Sequence, residues 1–167
     1  MRTARAFAGV AMTLAMQTTM DRFAGRTIGV DLVLVSIVYV ALTRGPAGGL
    51  LTGCFAGLIQ DALTSGVIGV GGIAKTIVGF LAGAIGQQFI ITAALPRMVM
   101  FVAATAVHAA IFYGLYQAIG RGGFQASVAT VGVQSLANAI LGMLAFIVIE
   151  GLPVAWERRR LARRPRL

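Results

Sequence analysis

The sequence predicts an all-α integral membrane protein with six transmembrane helices. Of its 167 residues, 58% are hydrophobic and only 11% are charged, whereas an ordinary soluble domain is about 25% charged. The apolar runs are continuous and far longer than the alternating segments of about ten residues found in membrane β-barrels. The 22 glycines fit the same class, because small residues let membrane helices approach each other closely.

Six apolar segments follow one another along the chain, separated by short polar or glycine- and proline-containing connectors. The first is short, because a full span takes about 20 residues, so flanking residues must extend it or other helices must shelter it. Arg44-Gly45-Pro46 forms a turn, since proline biases the residue before it away from helix. Leu95-Pro96-Arg97 ends the fourth segment. We place the six segments at about residues 6–20, 28–43, 47–63, 67–93, 98–119 and 128–150.

The basic residues indicate how these spans are oriented. Six spans put both termini on one side, and cytoplasmic loops carry an excess of lysine and arginine. With the termini inside, the cytoplasmic side holds ten arginines: Arg2, Arg5, Arg44, Arg97 and the six of the C-terminal tail. The outer side then holds three: Arg22, Arg26 and Arg121. We therefore expect a membrane domain at residues 1–156 and a basic cytoplasmic tail at 157–167. The net charge of +9 reflects this topology and attraction to membrane lipid rather than nucleic-acid binding.

Two charged residues lie in otherwise apolar sequence around a turn at residues 64–66. They are Asp61 and Lys75, the only lysine, and antiparallel helices would place them roughly 6 and 10 Å from that turn. We therefore predict a buried pair beside Gln60, with Gly66 and Gly69 as turn glycines. A charge in hydrocarbon is costly unless it is paired or faces a polar cavity. Such a pair either stabilises a helical hairpin or, together with Gln60, lines a pocket that binds a solute or a lipid headgroup.

Two sets of glycines recur every four residues and so lie along single helix faces. This small-xxx-small spacing is typical of close packing between membrane helices. We expect one face to pack the protein's own helices and the other to contact a partner span or a second copy. The faces consist of Gly49, Gly53 and Gly57 in the third segment, and of Gly79 and Gly83 in the fourth.

The sequence offers no reactive centre, so we predict no enzyme, no cofactor and no metal site. Residues 69–76 approach the phosphate-binding pattern G-x-x-x-x-G-K-[ST], but Ala74 replaces its second glycine and no strand precedes it. His108, the only histidine, is expected to form a hydrogen bond in the core. Asp31 is expected at a helix N-terminus, where the dipole favours a negative charge, and Glu150 near the tail arginines.

About half of the chain, from Asp31 to Gly83, carries a set of motifs made of glycines, one Gln-Asp pair and a helix start. They are Asp31-Leu-Val-Leu-Val, Tyr39, Arg44-Gly45-Pro46, Gly57-Leu-Ile-Gln60-Asp61, Ser65-Gly66, Gly69 and Val78-Gly79-Phe80-Leu-Ala-Gly83. This set resembles the MreD family of rod-shape-determining membrane proteins, and the chain length and span count agree. Gln60 and Asp61 occupy matching positions, as do Gly57, Gly66 and Gly69. Lys75 is not part of the resemblance.

The resemblance implies a small bacterial inner-membrane protein whose six helices are arranged like the substrate-binding subunits of energy-coupling-factor transporters. It implies a non-enzymatic scaffold that maintains rod shape by binding MreC, a single-span protein, and by linking wall synthesis to the cytoskeleton. A polymerase, a transpeptidase and an actin-like filament are the other implied partners, and a homodimer stays open. The alternative is a substrate-binding subunit of a vitamin-type transporter. The few polar and aromatic side chains at the predicted outer ends disfavour it.

Overall fold

A computed structural model of the protein describes residues 2–23, 29–64, 66–89, 93–120 and 127–151. These residues form helices and connecting turns, with no strand among them. Four helical stretches are long and apolar enough to cross a membrane: Leu32–Leu63, Val70–Gln88, Ala94–Ala118 and Val128–Glu150. The protein is therefore an all-helical, multi-pass membrane protein. Its helices are α1 (Arg2–Phe23), α2 (Leu32–Leu63), α3 (Val70–Gln88), α4 (Ala94–Ala118) and α5 (Val128–Phe146), followed by a π-helical turn (Ile147–Gly151).

Helix α2 reverses direction at Gly45, which has φ 80° and ψ −174°. Glycine is suited to this position because it lacks the Cβ that disfavours positive φ. In a straight helix, Gly49 would lie about 12 Å along the axis from Ala41. A Cβ built on Gly49 instead lies 2.7 Å from the Cβ of Ala41. Residues 32–44 and 46–63 are thus two antiparallel segments, and the predicted turn at residues 44–46 is confirmed.

The start of α4 differs from the sequence-based interpretation. Pro96 was expected to end the preceding segment, but α4 begins at Ala94 and includes Pro96 in its first turn. Proline is tolerated there because amide groups in the first turn have no acceptor within the helix. The preceding helix, α3, ends at Gln88.

Helix α3 packs closely against the reversed α2 through glycines. Each glycine of residues 46–63 that was singled out in the sequence faces the α3 backbone: Gly49 at Gly79, Gly53 at Lys75 and Gly57 at Gly72. From the other side, Gly83 faces the backbone of Pro46. All of these glycines are buried. The expectation that one of the two faces would contact a partner or a second copy is therefore wrong, because the faces pack against each other.

The apolar core joins α2, α3, α4 and α5. Its largest members include Leu34, Val38, Val78 and Phe101, and the Phe101 ring fills the space that a side chain on Gly142 would occupy. A smaller cluster of buried residues packs against α1: Val33, Ile37 and Ala56, with Val10 and Leu14 from α1. Among the described helices, α1 therefore packs only on α2.

The far end of the bundle is held by Arg97, which joins the start of α4 to the end of α5. Its guanidinium carbon lies 4.1 Å from the ring centre of Phe146, within the range of a cation–π contact. Its Nη2 also lies 3.5 Å from Oε2 of Glu150. Glu150 was expected to interact with the tail arginines. The structure pairs it with Arg97, and the tail lies outside the described residues.

We predict that Gly53→Leu destabilises the protein by about 1–3 kcal/mol or more, since overpacking a tight contact forces the backbones apart. A Cβ built on Gly53 lies 2.7 Å from the carbonyl carbon of Lys75. The measurement is the midpoint of thermal unfolding in detergent, read from the folded fraction after heating.

Gly132→Leu is the matched control, because nothing lies within 4 Å of a Cβ built on Gly132. Its unfolding midpoint should stay close to that of the parent protein. Equal midpoints for the Gly53 and Gly132 variants would contradict the packing described here.

Candidate functional site

A cavity of about 410 Å³ opens at one end of the helix bundle. Its wall contains the end of α1, the start of α2, the end of residues 46–63, the start of α3, the end of α4 and the start of α5. Every described helix therefore contributes to it. The three residues predicted as a polar site, Gln60, Asp61 and Lys75, all line this cavity. It is the candidate functional site.

Lys75 forms the central contact of the site. Its Nζ lies 2.8 Å from Oδ2 of Asp31 and 3.3 Å from Nε2 of His108. The three residues are 4%, 7% and 8% exposed. An ammonium group has only donors, so Nε2 of His108 accepts from it and the ring proton lies on Nδ1. The histidine is thus a core hydrogen-bonding group, as predicted.

Asp31 links the ion pair to the rest of the bundle. Its Oδ1 accepts from the amide of Leu34 at 2.8 Å and so caps the N-terminus of α2, as the sequence suggested. Its own amide donates to Oδ1 of Asn138 at 3.0 Å. Nδ2 of Asn138 donates to Oγ1 of Thr105 at 3.1 Å, and that hydroxyl donates to the carbonyl of Phe101. This chain of polar contacts connects α2, α3, α4 and α5.

Asp61 does not form the predicted ion pair with Lys75. Its Oδ2 accepts from the amides of Gly69 at 2.9 Å and Gly72 at 3.0 Å. The carboxylate therefore holds the first turn of α3, where unpaired amides and the helix dipole favour a negative charge. Gly69, the N-cap residue of α3, has φ 102°, a conformation that favours glycine. The prediction of an Asp61–Lys75 pair was wrong, because the backbone of α3 binds Asp61 and Asp31 binds Lys75.

Residues that the sequence analysis did not single out complete the wall. Gln17, only 6% exposed, accepts from the amide of Leu32 at 2.9 Å and donates to Asp21 at 3.0 Å. It thereby connects α1 to α2. The hydroxyl of Tyr116 accepts from the amide of Val67 at 3.2 Å and lies beside Gly66, one of the predicted turn glycines.

The aromatic content of this end also differs from the sequence-based expectation. Phe112, Tyr113 and Tyr116 line the cavity, although aromatic and polar side chains were expected to be scarce there. The signal was present as three aromatic residues within five positions of α4. Buried Gln17 and Asn138 were a second signal, because polar side chains in membrane segments are expensive and usually functional.

The described part of the chain holds no group of three His, Cys, Asp or Glu residues positioned to bind a metal ion. What the arrangement offers instead is a polar, partly aromatic space at the end of a helix bundle, built around one buried ion pair. Such a site can bind a small polar group and can hold six chain segments in register.

Comparison with known proteins identifies a family. The family model described as rod shape-determining protein MreD matches residues 5–153, nearly the whole chain. No curated protein and no solved structure matches the chain. The likeness to energy-coupling-factor subunits expected from the sequence therefore has no support from a solved structure.

We predict that Asp31→Asn and Lys75→Met each destabilise the protein by about 3–5 kcal/mol, because each leaves a buried charge without its partner. The double variant should lose less than the sum of the two, since it leaves neither charge behind. Thermal unfolding of all four proteins in detergent gives the coupling energy.

The matched comparison uses Asp61→Asn with Lys75→Met. Its coupling energy should be clearly smaller, because Asp61 binds amides of α3 rather than the ammonium group. A larger coupling for the Asp61 cycle than for the Asp31 cycle would show that the assigned pairing is incorrect.

Proposed function

Because this chain belongs to the MreD family of rod shape-determining proteins, we propose that it is a non-enzymatic scaffold of bacterial cell-wall elongation. Rod-shape determination is the role of the family. The observation that carries the proposal is the extent of the match, residues 5–153, which includes all but the first three residues of the helices that line the cavity. Maintenance of rod shape through protein contacts is the finer function that we infer from it.

We propose an MreC-like single-span protein as the direct partner, with a polymerase, a transpeptidase and an actin-like filament as further members of the complex. Since the glycine faces are occupied internally, a partner span must use the outer surface of the bundle. On α4, Ala106, Ala110 and Gly114 follow one another every four residues and are exposed. Small residues at this spacing favour close helix packing in membranes, so this is the surface to test first.

We also propose that the chain crosses the bacterial inner membrane six times, with both termini in the cytoplasm. The reversal of α2 at Gly45 supports two spans within one 32-residue helix, and α1 supplies the sixth. The positive-inside rule gives the orientation. The cavity then opens towards the periplasm, and the basic residues 157–167 lie where they can interact with anionic lipid.

A substrate-binding subunit of a small-solute transporter is the second candidate function. The cavity of about 410 Å³ favours it, since ligand pockets commonly measure about 300–1,000 Å³. Purification in mild detergent separates the two functions: a scaffold should retain a single-span partner, whereas a transporter subunit should retain an ATPase module.

The topology is testable with reporter fusions. Fusions after Arg44, Arg97 and Leu167 should report a cytoplasmic position, and fusions after Arg26 and Arg121 a periplasmic one. The Arg44 fusion is decisive for the span count, because its position is cytoplasmic only if α2 turns back there. A periplasmic C-terminus would overturn the orientation.

The proposed partner surface on α4 can be tested by introducing a larger side chain there. Ala110→Leu should reduce copurification of the single-span partner by about tenfold, equivalent to about 1.4 kcal/mol, and rod cells that depend on this variant should become round. Ala15→Leu is the control, because Ala15 is exposed on α1, and it should retain both the partner and the rods. Full partner binding by the Ala110 variant would contradict the α4 surface.

A further inference from the structure

The imidazole of His108 is the acceptor for a buried ammonium group. Nζ of Lys75 lies 3.3 Å from Nε2 of His108. An ammonium group has only donors, so this hydrogen bond exists only while Nε2 carries no proton. Lys75 lies on α3 and His108 on α4. The contact therefore joins two helices through a histidine that must stay in one protonation state.

A proton on Nε2 would place two cations 3.3 Å apart around one carboxylate. That carboxylate belongs to Asp31, which already accepts from Lys75 through Oδ2 and from the amide of Leu34 through Oδ1. Like charges at this distance repel each other strongly in a buried site, because little water screens them. The Lys75 contact and a charged His108 are thus incompatible.

The other polar groups around the cavity do not replace that acceptor. Asp61 accepts from amides of α3, and Asp21 of α1 accepts from Gln17. Aspartate and tyrosine ordinarily change charge outside the range from about pH 5 to 8, in which histidine changes charge. The remaining polar groups that line the cavity are Tyr113 and Tyr116 of α4, and Thr130 and Gln134 among the described residues of α5.

Protons reach His108 from the cavity, which it lines with 8% of its surface exposed. One turn away, the hydroxyl of Thr105 accepts from Asn138 of α5, and Phe101 and Val78 belong to the apolar core. These contacts do not titrate. Towards its end, α4 has a neutral link from the amide of Val67 to its Tyr116 hydroxyl. The first half of α4 is therefore anchored independently of pH, whereas the contact at His108 is not.

We propose that the contact between Lys75 and His108 is a proton-sensitive latch between α3 and α4. A proton from cavity water adds to Nε2 of His108, Lys75 keeps its own proton, and the two cations separate. The cavity end of α4 then moves away from α3. Because the closed arrangement excludes this proton, its stability falls as the pH drops below about 6.5, where free histidine becomes charged. The latch goes beyond the scaffold role and is a property of the isolated protein.

The test follows the full chain in lipid nanodiscs from about pH 8 to about pH 5, the range in which histidine changes charge. Because His108 is the only histidine, nitrogen-15 NMR of labelled histidine reports its protonation state directly. Electron paramagnetic resonance measures the distance between α3 and α4. Its spin labels are attached at two exposed positions, Ile73→Cys and Gln117→Cys, in a Cys54→Ala background that removes the only native cysteine.

At the upper pH we expect a neutral imidazole and one population of short distances. At the lower pH an imidazolium signal and a second population with longer distances should appear together. His108→Gln offers Lys75 an amide oxygen but does not titrate, so it should keep the short distance throughout. Asp21→Asn is the control, because it keeps an acceptor for Gln17, and it should retain the pH response.

Lys75→Met gives a second measurement with the opposite sign. In this variant a charged His108 is the cation that remains beside Asp31, so acid should raise the unfolding midpoint, whereas it should lower that of the parent protein. The same direction in both proteins would overturn the proposal. So would an imidazolium signal without longer distances, a distance that does not change with pH, or a pH response that persists in His108→Gln.

Discussion

The contact between Lys75 and Asp31 is the interaction on which the rest of the structure depends. Lys75 lies inside a membrane helix, where an unpaired charge is expensive, and it is the only lysine of the chain. Its partner lies 44 residues earlier, at the start of α2. Holding the two atoms 2.8 Å apart therefore fixes α3 beside the first segment of α2. His108 and Asn138 extend this constraint to α4 and α5.

The glycine faces hold the same stretch of α3 against residues 46–63. Residues 46–63 lie against α3 with a glycine on at least one side of each of the closest contacts, so the two backbones approach each other closely next to Lys75. A larger side chain at Gly53 would meet the Lys75 carbonyl and move the ammonium group away from its carboxylate. Close packing and charge pairing are thus two parts of one arrangement. The cavity forms where these helices end, since capping groups and polar side chains concentrate at helix termini.

The sequence was sufficient to predict the features that depend on local composition. Apolar runs, the turn at Gly45 and the glycine spacing are local patterns, and the structure has helices, a reversal and close packing at those places. The ion pair could not be predicted in the same way. Two aspartates lay within reach of Lys75, and the choice depended on α3 amides that attract Asp61. Asp31 at the start of α2 and Lys75 of α3 are 44 residues apart in the sequence. No regular spacing in the sequence predicts this tertiary contact.

Family membership concerns the cellular role of the chain, whereas the cavity concerns how its helices are held together. Membership in the MreD family assigns the chain to rod-shape determination. The cavity lies at one end of the bundle, is lined by every described helix and is held together by the Lys75 contact.

The most direct measurement of the central contact is a solid-state NMR distance between the side-chain nitrogen of lysine and the carboxyl carbons of aspartate. Isotope labelling of lysine gives one signal, because Lys75 is the only lysine. The protein in lipid bilayers should show strong dipolar coupling that disappears in Asp31→Ala and persists in Asp61→Ala. Coupling that persists without Asp31 and disappears without Asp61 would contradict the arrangement described here.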